Sequence, residues 1–358
     1  AGGRGGGRGL FAGRSLRAGE VALQELPLLA WPAEAFSGVC CAGCLRLCAP
    51  GAAMACPGGC GAAVFCSESC WLNSGGHDKL HHPPGVCRGL KILRESAAST
   101  EERDAARFLL LAYNAKLYHP TAFQQLWGLV EAGHHAQQLR LQSLVEVVHA
   151  ALGPQATASV GEATSLLARD GANGFAIMGP RREDGERQAR GFAIYPAFAM
   201  TNHECLPNCA RFDDFDGTDR TGLFPHSQAP PNNMLLQLRT LHAVPQGEEL
   251  LLGYFPLDWD LEERRERLAQ DYGFECNCGR CRLEASWDSE GAPEGPLKGV
   301  QGGAEVTEDY LGVFCLKYIC PHDGCGGTMA PLDGTDVCAC NCCGLCRSEA
   351  EFQASLNE

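Results

Sequence analysis

The sequence predicts a mixed α+β protein, and three observations lead to this prediction. Short runs of strand-forming residues, separated by turns, lie within residues 9–31 and again within residues 173–254. Between them, apolar residues recur at helical spacing over residues 101–152. Most of the 22 cysteines fall into two clusters, at residues 40–87 and 276–346. A chain of 358 residues can bury a sizeable core, so we expect one large domain with smaller modules.

The elements are predicted in order along the chain. The first two strands are Gly9–Ala12 and Val21–Trp31, joined by a turn at 13–19. The helical run over 101–152 ends at Gly153-Pro154, and a further helix is expected over 156–168. The later strands are predicted at 173–177, 191–196, 233–244 and 249–254, followed by a short charged helix over 260–272.

The cysteine spacings are typical of zinc sites. Pairs in C-x-C and C-x-x-C spacing place two thiolates beside one tetrahedral ion. A disulfide framework is the alternative, but it normally belongs to short secreted domains, and it would not need the histidines that interleave the first cluster. We therefore expect several structural zinc ions and a reducing compartment, cytoplasmic and/or nuclear. No apolar run approaches the length of a membrane span, and no membrane partner is expected.

The formal net charge of −14 argues against a general nucleic-acid binder, which is usually basic, so direct nucleic-acid binding is not expected. An acidic surface would favour a basic partner such as a lysine-rich tail. Solubility alone is the simpler explanation of the charge, and the sequence does not separate the two.

Three segments carry the most specific pattern. They are Asn202-His203-Glu204-Cys205-Leu206-Pro207-Asn208, then Gly247-Glu248-Glu249-Leu250 with Tyr254, then Tyr272-Gly273-Phe274 followed by Cys276, Cys278 and Cys281. In this order they closely resemble the core of a SET-domain protein lysine methyltransferase. Read singly, the first segment could be an Asx-turn beside a buried cysteine, and each aromatic could be an ordinary core residue.

The resemblance implies a set of functional residues. Two distant segments would cross in a knot-like arrangement, so that Asn202 and His203 meet S-adenosylmethionine while Cys205 joins Cys276, Cys278 and Cys281 at a zinc ion. Glu204 stands where Ser is usual and is expected to point outward. The expected catalytic residues are Tyr254, Tyr272 and Phe175, the last two lining the lysine channel. The expected cofactor-binding residues are Arg8, Asn173, Asn202, His203, Tyr254 and Phe274.

Residues 40–88 resemble a MYND zinc finger. Their spacing, Cys41-x2-Cys44, Cys56-x3-Cys60, Cys66-x3-Cys70, His77 and His81, offers eight ligands, enough for two ions. The resemblance implies that Cys41, Cys44, Cys66 and Cys70 hold one ion, and that Cys56, Cys60, His77 and His81 hold the other. Two features depart from the family pattern: three residues separate the second pair, and the last ligand is His81, with His82 or Cys87 as alternatives.

The last cysteines resemble a zinc ribbon. Cys320, Cys325, Cys340 and Cys343 are the expected ligands, and Cys338, Cys342 or Cys346 could replace one of the last pair. The predicted segments are SET strands at 1–39, the finger at 40–88, a helical insert at 89–170, the catalytic core at 171–258, a post-SET zinc region at 259–285, a linker at 286–308 and this ribbon-like module at 309–358.

Taken together, the chain resembles the SET-and-MYND (SMYD) family. The resemblance implies an S-adenosylmethionine-dependent protein-lysine N-methyltransferase and chromatin regulator, acting on a histone or another lysine-containing protein. The alternative is a catalytically silent scaffold whose finger binds a proline-rich peptide. The chain departs from many relatives, because no room remains for a long helical region after the last cysteines.

Overall fold

The computed structural model describes residues 7–74, 79–132, 139–182, 187–213, 234–287 and 306–356. Its strands are β1 (Leu10–Phe11), β2 (Val21–Glu25), β3 (Leu29–Pro32), β4 (Met54–Ala55), β5 (Val64–Phe65), β6 (Gly174–Met178), β7 (Ala189–Ile194), β8 (Asn202–His203), β9 (Cys209–Phe212), β10 (Leu236–Thr240), β11 (Glu249–Leu252), β12 (Met329–Pro331), β13 (Val337–Cys340) and β14 (Cys346–Ser348).

The helices are α1 (Glu68–Ser74), α2 (Pro84–Glu95), α3 (Thr100–Tyr118), α4 (Pro120–Trp127), α5 (Leu141–Leu152), α6 (Val160–Asn173), α7 (Leu261–Arg267), α8 (Gly279–Trp287), α9 (Glu308–Tyr318) and α10 (Glu349–Ser355). Short 3-10 turns lie at Glu34–Phe36, Pro154–Ala156 and Phe198–Met200, and α7 continues as a π-helical turn over Leu268–Tyr272. The prediction of a mixed α+β fold is confirmed. Among the described helices, none is long and apolar enough to cross a membrane.

The chain divides into two compact units, residues 1–25 with 200–358, and residues 26–199. In the first unit, one sheet runs in the order β1-β11-β9-β10-β2, and β8 pairs with β11. All five residues of β10 are buried, since β10 lies between β9 and β2 with both faces covered. The strand predicted over 233–244 is shorter in the structure, where it covers Leu236–Thr240, and residue 233 lies outside the described residues.

Strand β11 receives two segments from the Asn202–Asn208 motif. Asn202 and His203 run parallel to it, opposite Leu251 and Leu252, and Cys209 pairs with Leu252 as well. Asn208 lies between the two pairings and is fully buried. Its Nδ2 donates to the Glu249 carbonyl at 2.8 Å, and its Oδ1 accepts from the Leu251 amide at 2.8 Å. One amide thus satisfies two backbone groups of β11 and joins the motif to this strand.

Residues 306–356, called the C-terminal module below, share a core with the strands of the first unit. Leu311, Phe314 and Tyr318 of α9 pack in one buried cluster with Leu206 and Leu257. Two polar contacts add to this packing: the Tyr318 hydroxyl donates to the Leu241 carbonyl at 3.1 Å, and Asn341 Nδ2 donates to the Arg211 carbonyl at 2.9 Å. The module is therefore continuous with the core that carries β9 and β10.

The second unit combines an antiparallel sheet, in the order β3-β7-β6, with helices α2–α6. Helix α3 is buried along most of its length and begins with a capping box between Ser99 and Glu102. The helix predicted over 156–168 lies instead at Val160–Asn173, because Thr157 adopts a left-handed conformation and the Ser159 side chain caps the first turn. Residues 183–186 and most of the predicted linker, 288–305, lie outside the described residues.

We predict that Asn208→Asp destabilises the first unit by at least about 2 kcal/mol, because a buried carboxylate would face the Glu249 carbonyl that Asn208 Nδ2 now contacts. Urea unfolding followed by circular dichroism measures the change. Asn73→Asp is the matched control, since Asn73 is exposed on α1, and its free energy of unfolding should stay within about 0.5 kcal/mol of the parent value. An unchanged midpoint for Asn208→Asp would contradict the role given to this amide.

Candidate active site and metal centres

Tyr254 lies two residues beyond the end of β11, next to the crossing of the two segments. Its hydroxyl donates to the Thr201 carbonyl at 2.8 Å, and its amide N–H donates to His203 Nδ1 at 3.3 Å. Burial raises the pKa of the Tyr254 phenol, and the nearby Tyr272 and Glu249 raise it further. The phenol is therefore neutral at physiological pH and fixed in direction by the Thr201 carbonyl.

Five aromatic rings surround this point, and we call them the aromatic cluster: His203, Tyr254, Phe255, Tyr272 and Phe274. The ring centroids of Tyr254 and Tyr272 are 4.7 Å apart, and those of His203 and Tyr254 are 5.1 Å apart. His203 lies 4.7 Å from Phe255 and 6.3 Å from Phe274. Phe274 is 39% exposed, so the cluster has one open side. Such a wall can hold an apolar stem and exclude water from a reacting group.

Asn202 and Arg8 meet at the edge of the same crossing. Asn202 Nδ2 donates to the Arg8 carbonyl at 2.8 Å and to Glu249 Oε1 at 2.6 Å. These bonds use the amide nitrogen, so Oδ1 is the atom of Asn202 that can accept a hydrogen bond from a ligand. The structure thus brings together Arg8, Asn202, His203, Tyr254, Tyr272 and Phe274 of the predicted site.

Asn173 and Phe175 belong to the second unit. Asn173 Nδ2 donates to the carbonyls of Val130 and Arg169, at 2.8 and 2.7 Å. The Phe175 ring packs edge-on against Tyr195 and Phe198, with centroids 5.7 and 6.1 Å apart. The predicted contacts of Asn173 with the cofactor and of Phe175 with the lysine channel stay predictions.

Glu204 differs from its sequence-based expectation. It was expected to point outward, but it is only 3% exposed, and its Oε1 accepts a hydrogen bond from the Cys205 amide at 3.1 Å. The outward expectation is therefore wrong. The physical reason is long-range packing: helix α9 covers this segment, since Leu311 and Phe314 lie in one buried cluster with Leu206, and nothing near residue 204 in the sequence indicates that helix.

Among the residues that the structure describes, four groups of side chains have the geometry of tetrahedral metal sites, each with its ligand atoms within 4.8 Å of one another. They are Cys41, Cys44, Cys66 and Cys70; Cys56, Cys60, His82 and Cys87; Cys205, Cys276, Cys278 and Cys281; and Cys320, Cys325, Cys340 and Cys343. A Zn–S bond of about 2.3 Å and tetrahedral angles place two sulfurs about 3.8 Å apart. Sulfur pairs in the four groups lie 3.4–3.9 Å apart, which fits zinc.

The second group corrects the ligand set expected for the finger. His82 Nε2 lies 3.2 Å from Cys56 Sγ and 4.0 Å from Cys60 Sγ, and Cys87 Sγ lies 3.7 Å from Cys56 Sγ. His81 does not belong to any of the four groups, and His77 lies outside the described residues. Helix α2 begins at Pro84 and carries Cys87 in its first turn, beside Cys56. The spacing alone therefore does not tell which of His81, His82 and Cys87 complete the group.

The model of the SET domain family matches residues 7–255. The chain belongs to the SET domain family. The match takes in residues 26–199 of the second unit and residues 7–25 and 200–255 of the first, so the crossing around β11 lies within it.

Named relatives extend the likeness to SET-and-MYND proteins. Histone-lysine N-methyltransferase ASHR2 of Arabidopsis thaliana is 34% identical over 100% of this chain and 96% of its own length. Human histone-lysine N-methyltransferase SMYD3 is 27% identical over 78% of this chain and 60% of its own length. Human N-lysine methyltransferase SMYD2 is 32% identical over 32% of this chain and 22% of its own length. The recognised resemblance to the SET-and-MYND family is confirmed.

Sequence reasoning did not assign a role to three groups of this SET domain. Asn208 joins the motif to β11, the Thr201 carbonyl orients the Tyr254 hydroxyl, and Glu249 binds Asn202. Asn208 and Glu249 lie inside the quoted motifs and could have been considered. The Thr201 carbonyl could not, because a backbone oxygen leaves no signal in the residue type.

We predict that the zinc-loaded protein binds about four zinc ions per chain, one for each tetrahedral group. His82→Ala should lower the count to about three, while the neighbouring His81→Ala should keep four, because only His82 lies beside Cys56 and Cys60. Plasma emission spectrometry of gel-filtered protein measures the ratio. A loss of one ion in His81→Ala, with no loss in His82→Ala, would restore the ligand set expected from the sequence.

Proposed function

We propose that this protein is an S-adenosylmethionine-dependent protein-lysine N-methyltransferase whose catalytic phenol is Tyr254. One observation carries the proposal: at the crossing of two distant segments the Tyr254 hydroxyl donates to the Thr201 carbonyl, while the Tyr254 ring packs against His203 and Tyr272. The printed names of ASHR2, SMYD3 and SMYD2 support a lysine-containing protein as the substrate. A histone is the first acceptor to test, because two of these names specify one.

The donor set at the crossing fits the cofactor of this family. Asn202 Oδ1 can accept a hydrogen bond from an amino group. The Arg8 segment lies beside Asn202, because the Arg8 carbonyl accepts a hydrogen bond from Asn202 Nδ2. The half-exposed ring of Phe274, 6.3 Å from His203, offers an aromatic face for a purine. Glu249 supplies a negative charge near Tyr254, which favours a cationic ligand. When bound, S-adenosylmethionine supplies an electrophilic methyl group on a sulfonium.

The protein's own groups align and desolvate the lysine amine. Since the neutral Tyr254 hydroxyl donates to the Thr201 carbonyl, its oxygen lone pairs are left to accept an N–H bond from the amine. Tyr272 packs against the same phenol, so the amine approaches from one direction. Apolar walls disfavour the ammonium form and lower the lysine pKa, which leaves a neutral nucleophile. The proton leaves to water before the amine is enclosed.

We predict that Tyr254→Phe lowers kcat by about 100-fold, because the amine loses the acceptor that aligns it while the ring packing remains. The assay uses labelled S-adenosylmethionine, zinc-loaded protein and purified core histones, with a cell lysate as a second source of acceptors. Tyr118→Phe is the matched control, since Tyr118 is 52% exposed, and it should keep the parent rate. Full activity of Tyr254→Phe would refute the assignment of this phenol.

We also predict the direction of the pH dependence. Because burial holds the Tyr254 pKa above its ordinary value, the phenol stays protonated from pH 6 to 10 and causes no fall in rate there. The acceptor lysine must lose a proton, so kcat should rise by about tenfold per pH unit until the bound amine is deprotonated. Initial rates from pH 6.5 to 9.5 measure the profile. A descending limb below pH 9.5 that disappears in Tyr254→Phe would contradict the direction of this shift.

The finer assignments rest on the same site. Identification of the labelled lysine in the lysate by mass spectrometry would name the substrate and the number of methyl groups transferred. Binding of a proline-rich peptide by the finger at residues 40–88 stays a prediction. The silent-scaffold alternative predicts no heat on titrating S-adenosylmethionine into zinc-loaded protein, whereas an active site predicts a saturable isotherm.

A further inference from the structure

Two buried arginines share one carboxylate directly behind the aromatic cluster. Arg264 and Arg280, called the arginine pair below, both bind Glu284 of α8. Arg280 Nε lies 2.7 Å from Glu284 Oε1, and Arg264 Nη2 contacts the other carboxylate oxygen. The side chains of Arg264, Arg280 and Glu284 are only 0%, 6% and 8% exposed. Burying three charges is costly unless every polar group finds a partner, so this arrangement demands an explanation.

Three further nitrogens of the arginine pair donate to backbone carbonyls near the active site. Arg280 Nη1 donates to the Leu257 carbonyl at 2.8 Å and reaches the Cys205 carbonyl at 3.5 Å. Arg280 Nη2 donates to the Trp259 carbonyl at 3.1 Å, and Arg264 Nη1 donates to the same oxygen at 2.6 Å. These carbonyls belong to irregular backbone, which has no ladder partner of its own.

The contacted residues adjoin the reacting groups. Cys205 follows His203 by two residues, and Leu257 follows Tyr254 by three. Arg280 itself lies between the metal-site residues Cys278 and Cys281, and Arg264 Nη2 contacts Cys281 Sγ at 3.8 Å. From the first turn of α8, the Arg280 guanidinium therefore touches both the segment that carries His203 and the segment that carries Tyr254.

We propose that Arg280, oriented by Glu284, is a positioning residue that sets the separation of His203 and Tyr254. The inference rests on the proposed methyltransferase function. Arg280 touches neither cofactor nor substrate, and it acts through the two backbone segments that it joins. Lysine cannot replace it, because an ammonium lacks the planar fork that serves Glu284 and the carbonyls of residues 257 and 259 together.

The charges around the pair explain why two arginines are needed. Four thiolates and one Zn²⁺ carry a net charge of about −2. Arg264 approaches this group at Cys281, and Glu284 holds the second guanidinium close by. The side chains of Arg264, Arg280 and Glu284 are at most 8% exposed, so their interactions are little screened by solvent.

The test compares Arg280→Lys and Glu284→Gln with Glu34→Gln. Glu34 is the matched control because it also binds two arginines, Arg107 at 3.2 Å through Nε and Arg103 at 3.6 Å, but in the second unit. Each variant is prepared as the zinc-loaded full chain. The measurements are zinc per chain, the melting temperature, the Kd for S-adenosylmethionine by calorimetry, kcat and KM with core histones, and amide hydrogen exchange.

We expect Arg280→Lys and Glu284→Gln to keep their zinc, to bind S-adenosylmethionine about tenfold more weakly and to lose about 10–100-fold in kcat. Amide hydrogen exchange should quicken at residues 254–260 in both. The melting temperature of Glu34→Gln should fall by a similar amount, while its Kd and kcat should equal those of the parent. A merely structural role would change the melting temperature alike in all three and leave the Kd of the folded, zinc-loaded fraction unchanged.

Two results would overturn the proposal. One is an unchanged Kd and kcat in both Arg280→Lys and Glu284→Gln. The other is activity that falls only in proportion to zinc, since the network would then retain metal and would not position the two segments. Failure of the proposed function has a different signature, because wild-type protein would itself transfer no methyl group. In that case, amide hydrogen exchange at residues 254–260 still decides whether Arg280 holds the two segments.

Discussion

The parallel pairing of β8 with β11 is the constraint on which the rest of the site depends. It places Asn202 and His203 opposite Leu251 and Leu252, and Tyr254 then emerges two residues later beside the imidazole. Two-residue strands have little stability of their own, so the pairing needs other support. Asn208 provides it with two bonds to β11, and the shared core of Leu206, Leu257 and helix α9 encloses the same segment.

Metal sites supply the stability that short elements cannot. The group at Cys205, Cys276, Cys278 and Cys281 joins residues more than seventy positions apart, immediately beside the aromatic cluster. The group at Cys320, Cys325, Cys340 and Cys343 organises β12–β14 of the C-terminal module, whose apolar face packs against the SET strands. These metal sites cross-link distant parts of the fold, and the proposed methyl transfer uses a phenol and apolar walls instead of a metal.

The sequence predicted the chemistry better than it predicted contacts between elements. Three of the metal groups found among the described residues have the members that the spacing and the resemblance indicated. The remaining group joins Cys56 and Cys60 to His82 and Cys87, which the sequence offered as alternatives to His81. Glu204 was misplaced for a related reason. In each case the deciding neighbour is a helix, α2 or α9, whose docking depends on apolar surface and is not encoded near the residue concerned.

The sequence by itself determined which groups are available: thiols in ligand pairs, an amide and an imidazole in one motif, and a tyrosine after a short apolar strand. Local residue order dictates these because ligand spacing and strand pattern are short-range properties. Only the tertiary structure decided their use. Which oxygen orients Tyr254, which side chains complete the finger, and how Arg280 joins residues 205 and 257 all depend on segments far apart in the chain, whose meeting follows from packing of the whole core.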